Sequence, residues 1–162
     1  MNLNENSSRE DILKYIKEST DSFIYFCSDK PWAQPYIDEA AKIYVQRSPS
    51  SFLHNFSNKP WVQPYIGEAV KKTTEDHPLQ FLINFSNKTW AQPYIDEAAK
   101  GAAKDMPFSF LRNYSDKPWA QPYIDEAARE VAKRNPKYFL EELSDRFPQG
   151  IDTALFALGG EK

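Results

Sequence analysis

The sequence predicts an all-α fold: an α-solenoid of helix-turn-helix repeats, about ten helices wound into a superhelix. Three observations predict it. Trp32, Trp61, Trp90 and Trp119 stand 29 residues apart, each opening nearly the same text, Trp32-Ala33-Gln34-Pro35-Tyr36-Ile37-Asp38-Glu39-Ala40-Ala41-Lys42 in the first case. A fixed period between about 20 and 50 residues marks a stacked array of structural units. Second, Phe23, Phe52, Phe81, Phe110 and Phe139 keep the same register, as do Pro49, Pro78, Pro107 and Pro136. Third, neither half of the unit alternates apolar and polar residues, as a half-buried strand would.

The elements follow in order. Residues 1–22 read as an N-terminal cap. Ser7-Ser8-Arg9-Glu10-Asp11 supplies an N-cap with acids in the first turn, ahead of an amphipathic helix through Ile12, Leu13, Tyr15 and Ile16. Repeats 23–51, 52–80, 81–109 and 110–138 come next. Ser48-Pro49 and Asn135-Pro136 read as a capping residue and a proline that open a short first helix, because proline has no N–H to lose in a first turn. Phe52, Leu53 and Phe56 fall on one face of it. Turn formers follow: Ser28-Asp29-Lys30-Pro31, Ser57-Asn58-Lys59-Pro60, Ser115-Asp116-Lys117-Pro118.

The second helix cannot start much before Pro35, Pro64, Pro93 or Pro122. Asp38 and Glu39 suit its dipole. Acid-first pairs four apart, Asp38 with Lys42, Asp96 with Lys100 and Asp125 with Arg129, support its exposed side. Its apolar arc runs Trp61, Tyr65, Ala69, Ile66. A small residue at Ala40, Ala69, Ala98 and Ala127 lets a neighbouring helix come close. Residues 139–162 read as a C-terminal cap: Phe139-Leu140 repeats the first helix, the tryptophan text is lost, and Ile151 to Leu158 forms a last helix stopped by Gly159-Gly160. The whole chain of 162 residues reads as one repeat domain.

Helical hairpins carrying Trp, Tyr, Ala, Phe and Pro at fixed places resemble tetratricopeptide repeats and the wider α-solenoid class in architecture, which implies a right-handed superhelix. The period is 29 rather than the 34 of tetratricopeptide units, and no Leu-Gly pair follows the tryptophan. No functional residue is carried over from that class.

Composition narrows the function. Twenty bases against twenty-three acids leave a net charge of −3, so there is no global surplus for a polyanion. The single cysteine, Cys27, forms no internal disulfide and fits a reducing compartment. The polar N-terminus lacks the pattern of a signal peptide, and no apolar run is long enough to span a membrane, which points to the cytoplasm. His54 and His77 fall at different repeat places, adjacent Asp38 and Glu39 point apart, and no phosphate loop, zinc spacing or nucleophile motif is present. No catalytic residue, metal or cofactor is expected, and the chain does not read as an enzyme.

Four constellations remain. The Trp and Tyr ladders read as core packing between hairpins, with tryptophans largely buried, rather than as a stacking platform. Lys30, Lys59, Lys88 and Lys117 form a row in the turns, where a cation suits the end of a helix but could also track phosphates. The last repeat is locally more basic through Arg129, Lys133, Arg134 and Lys137. On the first helices, Asn55, Asn84 and Asn113 offer paired donors and acceptors beside His54, Ile83 and Arg112, which point most directly outward.

Shorter helices suit the inner layer of stacked hairpins. Their outward residues would repeat at roughly 10 Å, which an extended peptide covers in about three residues. The expectation is a non-catalytic protein- or peptide-binding scaffold using Asn55, Asn84, Asn113, His54, Ile83 and Arg112. The alternatives are nucleic-acid binding through the lysine row, or a structural subunit of a larger assembly.

Overall fold

A computed structural model of the chain describes residues 3–159. The described residues are helical throughout, with no strand. A first helix, α1 (Arg9–Glu18), precedes four hairpins: α2 (Thr20–Cys27) with α3 (Gln34–Arg47), α4 (Pro49–Phe56) with α5 (Gln63–Asp76), α6 (Pro78–Phe85) with α7 (Ile95–Asp105), and α8 (Pro107–Tyr114) with α9 (Gln121–Arg134). After them come α10 (Pro136–Tyr138), which widens into a π-turn over Phe139–Leu143, and α11 (Ile151–Ala157). The fold is therefore an all-α array of helical repeats, in the order the period predicts. The chain divides into two compact units, Met1–Lys72 and Thr73–Lys162, with the boundary inside α5.

The prolines act as their places suggest. Pro49, Pro78, Pro107 and Pro136 each start a first helix. The residues before them hold the cap position by backbone conformation alone: neither Ser48 nor Asn135 makes a side-chain cap bond. Ser8 does cap with its side chain, accepting from the Asp11 amide at 3.1 Å. The expected turn before each long helix is a short 3₁₀ helix, for example Pro60–Val62, so Trp61 lies in this turn and not on the long helix. Where Thr89 replaces the proline, the 3₁₀ stretch runs on through Tyr94 and the long helix starts later, at Ile95.

A bond not foreseen from the sequence closes these turns. The Gln34, Gln92 and Gln121 side-chain amides donate to the carbonyls of Ser28, Ser86 and Ser115 at 2.7, 3.0 and 2.8 Å. The recurrent glutamine thus ties the long helix back to the end of the short one.

Inside each hairpin the rings pack edge-on. Phe52 and Trp61 lie 6.0 Å apart at 71°, with Phe56 5.7 Å from the same indole. Phe81, Phe85 and Trp90 repeat this set, as do Phe110, Tyr114 and Trp119. The five register phenylalanines are fully enclosed. The tryptophans are only half-buried, less than expected, because each indole sits in the turn at the edge of the core. Enclosed alanines at 40, 41, 98, 99, 127 and 128 line the long helices, and α1 packs on α3, α7 on α9, and α9 on α11.

Polar ties join successive repeats within each unit. The Tyr65 hydroxyl donates to Asp38 at 2.6 Å, and Lys59 pairs with Asp29 at 2.8 Å. The Arg47 guanidinium donates to the Lys17 carbonyl at 3.0 Å, at the end of α1. Arg134 does the same for Lys104 and Asp105 at the end of α7. Both place a cation on free helix-end carbonyls. Of the three acid-first pairs, only Asp38 with Lys42 closes to an ion pair among the described residues, at 2.6 Å. At the far end, Gly159 has φ 85°, the left-handed conformation that ends α11; Gly160 lies outside the described residues.

Two predictions follow from this packing. The indole nitrogens of Trp61 and Trp90 are enclosed and have no hydrogen-bond partner. Replacing either by phenylalanine removes ring volume but no bond. Denaturant unfolding should therefore show a cost of about 1–2 kcal/mol, against about 3–5 kcal/mol for Phe81→Ala.

The second concerns Tyr65, whose phenol is pushed up to about 12, first by burial and then by its bond to Asp38. The Asp38 carboxyl is held below its usual range by its bonds to Lys42 and Tyr65. The folded protein keeps a phenol proton that the unfolded chain releases near pH 10. This contribution to stability is complete below about pH 10 and is lost as pH rises through about 12. In a tyrosinate absorbance titration, Tyr65→Phe should remove the latest-ionising phenol, and Asp38→Asn should bring it back toward the ordinary range.

Candidate peptide-docking surface

The six residues expected to bind are all on first helices. His54 and Asn55 are exposed on α4, Ile83 is exposed on α6, and Arg112 and Asn113 are exposed on α8; Asn84 on α6 is half-buried. One of the three amides already has a hydrogen-bond partner. The Asn55 amide lies beside the enclosed Tyr44, whose phenol is raised by burial and lowered in part by that amide. The Asn84 carbonyl accepts from the Gln80 amide at 3.1 Å, one turn earlier on the same helix. Each of these amides keeps further hydrogen-bonding capacity.

Of the six, Arg112 lines a cavity. That cavity, of about 340 Å³, is walled by Phe108, Leu111, Tyr138, Leu143, Arg146 and Phe147 as well. A second cavity of about 480 Å³ borders Met106, Pro107, Val131, Arg134 and, again, Phe108 and Tyr138. The Phe108 and Tyr138 rings meet edge-to-face, with centroids 5.6 Å apart at 72°. The two cavities therefore flank one aromatic ridge, built from the first turns of α8 and α10 in the second unit.

The sequence carries a signal for this ridge in residues that do not recur. Phe108 stands where the other repeats carry Asp21, Ser50, Leu79 and Lys137. Tyr138 stands where they carry Ser22, Ser51, Gln80 and Ser109, and Met106 where they carry Ser19, Ser48, His77 and Asn135. Three large apolar side chains thus occupy places that are polar almost everywhere else. Phe108 remains 41% exposed and Met106 51% exposed, so they are not absorbed into the core.

The floor of the smaller cavity comes from a slip in the repeat. In the ordinary turn, Lys117 donates to the Tyr114 carbonyl and Ala120 to the Lys117 carbonyl. In the last repeat Phe147 donates to Leu143 and Gly150 to Phe147. One additional residue lies between the corresponding positions, following the π-turn at Phe139–Leu143. Phe147, nearly fully enclosed, thereby takes the lysine's place in the turn. Gly150 is required here, because a Cβ would run into the Phe139 ring.

Arg146 sits over the Phe147 ring at 5.2 Å and donates to the Ser115 hydroxyl at 2.6 Å. Both guanidiniums of the smaller cavity, Arg112 and Arg146, are exposed, and no carboxylate lines it. In the larger cavity Asp105 is present, and Arg134 is engaged with backbone carbonyls and with Glu130 at 3.3 Å.

The lysine row is partly neutralised: Lys59 pairs with Asp29, and Lys117 with Asp116 at 3.3 Å. Cys27 is enclosed, and burial raises its thiol against the opposing effect of Lys30. No group of His, Cys, Asp and Glu able to hold a metal ion occurs among the described residues, and none of their helices is long and apolar enough to cross a membrane.

The fold thus defines a helical-repeat protein with an aromatic ridge on the short-helix surface of its second unit. Comparison of the chain with known protein families, curated proteins and solved structures finds no match.

The two amide environments give a direct test. Asn55→Ala removes the amide beside an enclosed phenol and should cost up to about 1 kcal/mol in thermal or denaturant unfolding. Asn113→Ala, on an exposed side chain without such a partner, should change stability by less than about 0.5 kcal/mol. Tyr44 should also ionise at higher pH in the Asn55→Ala protein.

Proposed function

We propose that the chain is a non-catalytic repeat scaffold that binds a peptide or protein segment across the exposed face of its short helices, with the Phe108–Tyr138 ridge as the anchor in the second unit. One observation carries this reading. Large apolar side chains stand exposed beside two cavities, at repeat places that are polar almost everywhere else. Volumes near 300–500 Å³ with mostly apolar walls suit side chains of a bound segment. Arg112, Asn113, Ile83 and Asn84 add outward polar and apolar contacts on the neighbouring short helices of the same unit. The likeness to tetratricopeptide arrays supports a binding role by architecture alone. A cytoplasmic setting accords with the reduced thiol of Cys27.

Selection from a random-peptide library displayed on phage tests the reading. The control variants replace ridge residues with the residue other repeats already carry there: Phe108→Ser with Tyr138→Ser. Peptides selected on the natural protein should lose binding to this double variant by about tenfold or more, while its helical circular dichroism and melting temperature change little. Selection of no peptide, or of peptides indifferent to the double variant, would refute it. Tight retention of oligonucleotides with a steep salt dependence would instead favour the lysine row as the working surface.

A further inference from the structure

The smaller cavity carries more information than an apolar groove does, because its charge is one-sided. From it we infer that the ridge receives an acidic linear segment of a partner protein. An apolar side chain of the segment packs against Phe108 and Tyr138, and a neighbouring carboxylate is held by Arg112 and Arg146. The inference rests on the docking reading above and adds the chemistry of the occupant.

Arg112 and Arg146 both border the cavity, and no acid does. Arginine's planar set of five donors matches a carboxylate in two parallel bonds, which a lysine cannot do. With the one-residue slip counted, Arg146 falls where Asp29, Asn58, Asn87 and Asp116 stand, so the repeat has a cation at this place only here.

The Arg146 side chain is also fixed before any ligand arrives. Its guanidinium is stacked at 5.2 Å on Phe147 and one nitrogen is bonded to Ser115 Oγ, leaving other N–H donors for a ligand. Holding the side chain in advance lowers the ordering cost of binding. Arg112 presents a second guanidinium from α8, at a place filled by Tyr25, His54, Ile83 and Glu141 in the other repeats.

The spacing fits an extended chain. In a strand, residues i and i+2 point the same way about 7 Å apart, which is the scale of a ridge made by two rings with centroids 5.6 Å apart. One side chain of such a pair enters the Arg112 cavity and the other the Met106 cavity. The pairing of Lys59 and Lys117 with aspartates, and a net charge of −3, favour a discrete acidic peptide over a continuous phosphate backbone.

The experiment measures fluorescence anisotropy with labelled synthetic peptides of pattern Ser-Glu-Ser-Leu-Ser, which put a carboxylate and an apolar side chain on one face of an extended chain, their glutamine analogues (Ser-Gln-Ser-Leu-Ser) and their lysine analogues, with an oligo-dT probe alongside. The acidic peptide should bind at least about tenfold more tightly than the glutamine analogue, and the lysine analogue should not bind. Arg112→His, which installs the residue found at position 54, should erase most of that preference without lowering the melting temperature. Arg146→Gln should do so too, and Arg146→Lys should restore it only in part.

Equal binding of acidic and neutral peptides, with both lost in Phe108→Ser, would overturn this inference and leave the docking reading standing. No binding of any peptide, or binding unchanged by Phe108→Ser, would overturn both. Tighter binding of oligo-dT than of the acidic peptide, lost in Arg112→His, would assign the cavity to nucleic acid. Dimerisation in sedimentation velocity that Phe108→Ser abolishes would assign it to a second copy of the chain.

Discussion

Each hairpin depends on one cluster: a fully enclosed phenylalanine of the short helix set edge-on against a tryptophan in the following 3₁₀ turn. Centroid separations of 6.0–6.5 Å recur at Phe23–Trp32, Phe52–Trp61, Phe81–Trp90 and Phe110–Trp119. Edge-to-face rings add about 0.5–1.5 kcal/mol beyond the area they bury. In the second, third and fourth hairpins the geometry is reached because prolines bound both helices. One opens the short helix, and the other forbids the long helix from absorbing the turn, so the indole is left at the corner where the phenylalanine can meet it. The glutamine amide then secures the corner by bonding back to the serine carbonyl. In the first repeat, Cys27 stands where Phe56, Phe85 and Tyr114 supply a further ring, so the set is smallest there.

With the rings inside and the turns secured by recurring residues, neighbouring repeats are joined by short polar ties that differ from place to place. Tyr65 reaches Asp38, and Tyr123 lies beside Asp96 at the corresponding places, each phenol being raised first by burial and then by the carboxylate. Arg47 and Arg134 sit on helix ends of the preceding repeat. These contacts link a repeat to its immediate neighbour, as stability in an array of this kind requires. Exposed ion pairs such as Lys59 with Asp29 contribute little individually. What they set is register between repeats, while the energy resides in the enclosed rings and alanines.

The fold was legible because its determinants are periodic. Hairpin order, proline positions, the alanine seam and the Ser8 cap can all be read from residue type and interval. Three things could not be. The glutamine bond joins residues six apart through a turn whose path no pattern specifies. The half-burial of the tryptophans follows from their place in a 3₁₀ turn, whereas helical periodicity had placed them on the long helix. The π-turn is an added residue, invisible to a search for what recurs. As for the candidate site, the outward position of His54, Ile83 and Arg112 was legible from the helical wheel. That Asn84 accepts from Gln80 and that Asn55 lies beside Tyr44 was not, because Tyr44 belongs to a different helix.

The same contrast locates the working surface. In an array, a residue that recurs is explained by the fold, because every unit needs it. A residue that breaks the pattern has no such explanation, and it carries weight when several breaks fall together in space. Met106, Phe108 and Tyr138 replace mostly polar residues, Arg146 replaces an acid or an amide, and the slip at Phe139–Leu143 sets Phe147 in the lysine's place beneath that arginine. All border the same two cavities. Left in water, Phe108 and Met106 forgo roughly 25 cal/mol for every Å² of apolar surface that a partner would cover. The short helices beginning at Pro49 and Pro136 carry a polar residue at the place of Phe108, so the hairpin does not need the ring to form. The stabilisation these side chains withhold from the folded chain is available only to whatever binds there.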